Sequence, residues 1–172
     1  MQSPNATAKK STLELLIVCV IAFLIGATCV LSGCTPSPSE ENKNTAQSAY
    51  NAVISAEATM LEMDAKKTLS EQPGLTDDEK SELATELAAF DAELPEKMSV
   101  LDGCKDSVDA MDEKYNDVKS AFLNVYNATN AFATDLSNGA DAETLYNDDQ
   151  AIQEGLASFA EACKAAGCPV TE

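Results

Sequence analysis

The chain has 172 residues and a formal net charge of −18, from 29 acidic and 11 basic residues. It contains no His, Trp or Arg, so every basic residue is a Lys. Catalytic triads, H-E-x-x-H zinc helices and di-iron bundle sites all need His, and the composition therefore argues against these enzyme classes. The negative charge and the lack of Arg oppose nucleic-acid binding. The composition predicts a protein that is not an enzyme, uses no cofactor or metal and binds no nucleic acid.

The N-terminal segment has the pattern of an export signal. Residues 1–14 are polar and include Lys9 and Lys10, and residues 15–30 form an unbroken apolar run. This run is shorter than the roughly 20 residues that a transmembrane helix requires, and it has the length of the apolar region of a signal peptide. The run is followed by Leu31-Ser32-Gly33-Cys34.

This arrangement resembles the signal peptide and lipobox of bacterial lipoproteins, in which small residues precede an invariant Cys. The resemblance implies cleavage between Gly33 and Cys34 and attachment of diacylglycerol to the Cys34 thiol. It also implies a lipid-anchored location on the extracytoplasmic face of the cell membrane, with membrane lipid as the first partner. Cys29 fits less well, because Gly26 stands where the lipobox has Leu. An uncleaved membrane anchor and a soluble core helix are the alternatives.

The residues after the lipobox are predicted to form a tether. Residues 34–44 begin with Cys34 and continue with two Pro and several polar residues, without a large apolar side chain. Ten flexible residues reach roughly 17–19 Å. The folded domain is therefore predicted to occupy residues 45–168, and its sequence resembles no named family.

This domain is rich in helix-forming residues, and its apolar residues recur at spacings of three and four. The first predicted helix has small apolar residues at this spacing: Ala46, Ala49, Val53, Ala56, Met60 and Met63. The second has Leu83, Leu87, Phe90, Leu94 and Leu101. The third has Val108, Met111, Tyr115, Val118, Phe122, Val125, Thr129, Phe132 and Leu136. The fourth has Leu145, Ile152, Leu156, Phe159 and Cys163, and Asp149 interrupts its apolar seam.

Capping and turn residues separate these segments. Thr76 and Glu79 have capping-box spacing, and Asp141 is placed to open the fourth helix. Pro95 is expected to kink or split the second helix. Four glycines are predicted to mark segment ends: Gly74, Gly103, Gly139 and Gly167. Similar helix lengths and short links predict an all-α fold, an antiparallel up-down four-helix bundle, with a three-helix bundle as the alternative.

Three cysteines remain in the predicted domain: Cys104, Cys163 and Cys168. The up-down topology brings all three to the same end of the bundle, and export permits disulfides. A bridge from Cys104 would close a long loop and would stabilise more than a bridge between Cys163 and Cys168. The expected order of pairing is Cys104–Cys168, then Cys104–Cys163, then Cys163–Cys168. A reactive or intermolecular thiol is the alternative.

Four acidic residues have helical spacing, namely Asp102, Asp106, Asp109 and Glu113. One continuous helix would place them on a single face, which is either a solvated surface or a site for a divalent cation or a cationic partner. The sequence thus predicts a membrane-anchored extracytoplasmic lipoprotein with a non-catalytic binding, scaffold or accessory role and an unidentified protein or cationic partner. The alternative is an extracytoplasmic protein that binds a cation or small solute through surface carboxylates. A hydrolase with paired carboxylates is a third hypothesis.

Overall fold

The computed structural model describes residues 38–171. They form helix α1 (Pro38–Ser70), helix α2 (Asp77–Asp109), a 3-10 turn (Glu113–Tyr115), helix α3 (Asn116–Asn138) and helix α4 (Ala142–Ala165). Helix α1 packs along α2 and α3 along α4, and the two hairpins also contact each other. The predicted all-α four-helix bundle is confirmed. Between residues 38 and 171, no helix has the length and apolar character that crossing a membrane requires.

Local capping residues define the starts of α2 and α4. The Thr76 hydroxyl accepts a hydrogen bond from the Glu79 backbone N–H at 3.3 Å, and the Thr76 N–H donates to the Glu79 carboxylate at 2.8 Å. Asp141 accepts from the Thr144 N–H at 2.8 Å. These bonds satisfy N–H groups that a helix leaves unpaired at its first turn. The two predicted N-caps are therefore confirmed.

Lysines from neighbouring helices satisfy carbonyl groups at two helix ends. The Lys67 ammonium of α1 donates to the Leu136 carbonyl near the end of α3 at 2.8 Å. The Lys119 ammonium of α3 donates to the Asp109 carbonyl at the end of α2 at 2.9 Å. Positive charge is favourable at a helix C-terminus, so these contacts tie the hairpins together at both ends.

The predicted apolar seams form the core. Their members are buried except Leu87 and Phe90, which are partly buried and lie on the first half of α2. The rings of Phe122 and Phe159 pack with their centroids 5.3 Å apart. Helices α3 and α4 thus share an aromatic contact in the interior of the bundle.

Helices α3 and α4 approach closely at Gly155. A Cβ atom at this position would lie 2.8 Å from the Val125 Cβ atom and 3.0 Å from the Val125 Cα atom. Side-chain carbons do not tolerate such distances, so this helix crossing requires a glycine.

The predicted tether is partly wrong. Residues 38–44 are helical, because α1 begins at Pro38 rather than near residue 45. Pro is compatible with the first turn of a helix, and Glu40 and Glu41 place negative charge where the helix dipole favours it. These residues are polar because the first turns of α1 are largely exposed, and the first buried residue of the helix is Ala46.

The boundary between the second and third helices was also predicted wrongly. Helix α2 continues through Pro95 and Gly103 to Asp109. A helical Gly costs about 1 kcal/mol relative to Ala, and the buried residues Leu101 and Val108 hold the helix on the core at either side of Gly103. Val108 therefore belongs to the last turn of α2, and the third helix starts only at Asn116. The helices are unequal as a result, with 33 residues in α1 and α2 against 23 and 24 in α3 and α4.

Candidate functional site

The predicted lipidation and cleavage site lies outside the described residues. This applies to Gly33, Cys34 and the whole predicted signal peptide. The remaining predicted site residues, the three cysteines and the four acidic residues, all lie in the described part of the chain.

The three cysteines lie at the same end of the bundle, beside the first turns of α1. Cys104 is half-buried and lines an open groove of about 220 Å³ together with Asn44 and Ser48 of α1. Burial raises the pKa of the Cys168 thiol, and the nearby Lys43 ammonium of α1 acts in the opposite direction. This agrees with the arrangement expected from the up-down topology.

Cys163 and Cys168 are brought together by the way α4 ends. Gly167 adopts a left-handed conformation, with φ +78°. The Cys168 N–H donates to the Cys163 carbonyl at 2.9 Å, and the Gly167 N–H donates to the Lys164 carbonyl at 3.2 Å. These two bonds define a Schellman motif, in which the residue after the glycine folds back onto the last full turn of the helix. In this protein the side-chain contact that usually accompanies the motif is made by two thiols.

The expected order of disulfide pairing stays a prediction. The thiols in contact are those of Cys163 and Cys168, the pair ranked last. The ranking was based on loop-closure entropy, which describes how much a disulfide would stabilise the fold. Which sulfur atoms lie in contact depends instead on the Schellman motif at the end of α4. Burial, with a smaller contribution from the neighbouring Cys168, raises the pKa of the Cys163 thiol to about 12.

The acidic residues do not form one helical face. Helix α2 carries Asp102, Asp106 and Asp109, whereas Glu113 lies in the 3-10 turn that follows. Asp102 accepts a hydrogen bond from the Tyr126 hydroxyl at 2.6 Å, and Asp109 accepts from the Lys105 ammonium at 2.7 Å. Among the described residues, no group of three or more acidic or thiol side chains is arranged to hold a metal ion.

A buried polar cluster was missed by the sequence analysis. Glu57 of α1 is 5% exposed, and its carboxylate accepts a hydrogen bond from the Gln153 side chain of α4 at 2.5 Å. Asp149 lies next to Glu57, and its Oδ1 atom is buried without a hydrogen-bond donor among the described residues. Two ionised carboxylates cannot hydrogen-bond to each other, so a proton held between Glu57 and Asp149 would satisfy this oxygen.

The surroundings of Glu57 favour its protonated form. Burial raises the pKa of Glu57 most strongly, the hydrogen bond from Gln153 lowers it, and the Asp149 carboxylate raises it, with a resulting pKa of about 7. The residue before Asp149 takes part in a second acidic contact, in which Asp148 of α4 interacts with Asp135 of α3. Burial and the Asp135 carboxylate raise the pKa of Asp148.

The second groove lies between α1, α2 and α3 and has a volume of about 420 Å³. Its lining includes the apolar side chains of Met63, Leu94 and Met98, the Asn130 amide and the Asp91 carboxylate. Groups of this kind can bind a partner by apolar contact and by hydrogen bonds.

Comparisons with known proteins show no similarity. No protein-family model, curated protein or solved structure matches this chain.

Proposed function

We propose that this protein is a bacterial lipoprotein, held at the extracytoplasmic face of the cell membrane by diacylglycerol on Cys34, with a helical bundle that serves as a non-catalytic binding or accessory module. The order of sequence features carries the proposal: two lysines, a 16-residue apolar run and Leu31-Ser32-Gly33-Cys34. Two or three acyl chains contribute about 0.8 kcal/mol per buried CH₂ and hold a protein stably on a bilayer.

The link between Cys34 and α1 is short. Only three residues separate Cys34 from the first helical residue, and an extended chain spans at most about 3.6 Å per residue. The anchor would therefore keep the bundle near the membrane.

The surface of the bundle supports a binding role. The groove beside Cys104 and the second groove, between α1, α2 and α3, present amides, hydroxyls and apolar side chains. The exposed carboxylates add a strong negative field, which favours a cationic partner and weakens with salt.

Replacing Cys34 tests the anchor. We expect Cys34→Ser to abolish incorporation of an alkyne-labelled fatty acid, to leave the signal peptide uncleaved and to increase the mass of the product accordingly. Cys29→Ser is the matched control and keeps both modification and cleavage. Labelling or cleavage of the Cys34→Ser protein at the wild-type level would refute the lipoprotein assignment.

The alternative function is binding of a cation or small solute through surface carboxylates. Asp102 and Asp109 are already bonded to Tyr126 and Lys105, so we expect millimolar calcium to leave the melting temperature unchanged at constant ionic strength. A specific site at 100 times its Kd would add about 2.7 kcal/mol of stability. A calcium-dependent rise that magnesium and matched sodium chloride do not reproduce would favour the alternative instead.

A further inference from the structure

We propose that Cys163 and Cys168 form an intramolecular disulfide in the mature protein, which fixes the C-terminal tail to the end of α4 and leaves Cys104 as a free thiol. The proposal rests on the extracytoplasmic location proposed above, because structural disulfides persist in oxidising compartments.

The first argument is the geometry of the helix end. The Schellman motif closes the six residues from Cys163 to Cys168 with a 2.9 Å bond between the backbones of these two residues. A disulfide needs Cα atoms that lie close together and side chains that point toward each other. The backbone bond supplies the first condition and the contact between the thiols supplies the second. Gly167 takes the left-handed position that a residue with a Cβ atom rarely adopts.

The second argument is what the bridge would hold in place. Beyond Cys168, the Thr171 N–H donates to the Gln47 side-chain oxygen at 2.8 Å, and the Gln47 amide donates back to the Thr171 carbonyl at 3.1 Å. Val170 packs against the core cluster. The tail thus fastens the end of the chain to the first turns of α1. A covalent link at Cys168 would keep the tail positioned for these contacts.

The chemistry of the bridge is an ordinary thiol–disulfide exchange. One thiol loses its proton and attacks the disulfide of an extracytoplasmic oxidant, either a thiol oxidoreductase or oxidised glutathione, to give a mixed disulfide. The second thiol then loses its proton and displaces the oxidant, which leaves with two electrons as a dithiol or as two glutathione molecules. Both thiols are buried in the folded state, with exposures of 0% and 1%. We therefore place the reaction before the tail docks, while the thiolates remain accessible.

Peptide mapping tests the pairing directly. The lysines of this chain place the three cysteines on different peptides after digestion at Lys: residues 98–105, 120–164 and 165–172. Full-length protein is extracted from cell envelopes, denatured, alkylated without reduction and digested. We expect peptide 120–164 to be linked to peptide 165–172 and Cys104 to be alkylated. Alkylation of all three cysteines, or a link from peptide 98–105 to either of the others, overturns the proposal.

A stability measurement provides a second readout that needs no substitution in the buried pair. In the chain-entropy account, a six-residue loop shifts the folding equilibrium by about 40-fold. We expect reductant to lower the urea midpoint by a corresponding amount in the wild type and equally in Cys104→Ser. A midpoint that is insensitive to reductant, or a response that Cys104→Ser abolishes, contradicts the proposed pairing. Failure of the anchor itself would appear in the Cys34→Ser experiment, which measures acylation and cleavage and does not depend on Cys163 or Cys168.

Discussion

Replacing Gly155 with Ala is expected to destabilise the bundle, whereas the same change at Gly103 is expected to stabilise it. A Cβ atom at Gly155 would meet the Val125 Cβ and Cα atoms at 2.8 and 3.0 Å. Overpacking of this kind costs roughly 1–3 kcal/mol, and the better helix propensity of Ala returns only about 1 kcal/mol. At Gly103 no atom lies within 4 Å of the added Cβ, so only the gain in propensity remains.

Urea denaturation of the two variants measures this difference. We expect their free energies of unfolding to differ by about 1–3 kcal/mol, with Gly155→Ala below the wild type and Gly103→Ala above it. Because the close contact at Gly155 includes the backbone Cα atom of Val125, trimming the valine in Val125→Ala/Gly155→Ala should not restore stability. Equal effects at the two glycines would show that α3 and α4 do not approach as closely as described.

The two glycines also show what the sequence could predict about the fold. The spacing of apolar residues identified four helices and nearly all of the core, because burial of one face requires that periodicity in any helix. It did not determine where α2 ends, since Gly103 resembles a helix terminator when read locally. Tertiary packing of Leu101 and Val108 overrides that local preference. The close contact of Gly155 with Val125 depends on the position of the neighbouring helix, which the spacing of apolar residues does not specify.

The cysteines and the acidic residues differ in how much could be predicted. Topology was sufficient to place the three cysteines at one end of the bundle. The contact between Cys163 and Cys168 could have been predicted from the sequence Cys163-Lys164-Ala165-Ala166-Gly167-Cys168, since a C-terminal glycine at this spacing is typical of a Schellman motif. The acidic spacing predicted a shared face that exists only as far as Asp109, because the helix ends before Glu113.

Glu57 was missed because its charge suggests an exposed position. Two sequence signals could have identified it: Glu57 falls within the apolar stripe between Val53 and Met60, and Asp149 interrupts the apolar seam of α4. Polar residues at two core positions on different helices indicate that the two side chains face each other. The contact between Glu57 and Asp149 also depends on how far α1 and α4 are shifted along their axes relative to each other, and the sequence does not specify this shift.

Stability is expected to fall as the pH rises from 5 to 8, with Glu57 as a main cause. The folded state raises the pKa of Glu57 from 4.5 to about 7. A group with a raised pKa binds more protons in the folded state, so its contribution to stability is fully present below pH 4.5 and is lost as the pH rises through 7. The corresponding free energy is on the order of 3 kcal/mol.

Glu57→Gln is expected to remove this contribution. The amide has nearly the shape of the carboxyl group, can accept the hydrogen bond from Gln153 and can donate to the buried Asp149 oxygen. We expect the variant to be more stable than the wild type at pH 8 by about 3 kcal/mol and to lose most of this advantage at pH 5. Glu154→Gln removes the same unit charge from an exposed position on α4 and serves as the control. Urea midpoints across the pH range provide the measurement, and parallel pH profiles for the two variants would contradict the assignment.

Asp149→Asn separates the two causes that act on Glu57. Burial is the larger cause and persists in this variant, while the negative charge of Asp149 is lost. The transition in stability should therefore move to lower pH without disappearing, and the carboxyl ¹³C shift of Glu57 should titrate at a correspondingly lower pH. An unchanged Glu57 titration in Asp149→Asn would show that the Asp149 carboxylate does not act on Glu57. In that case, burial alone would account for the raised pKa of Glu57.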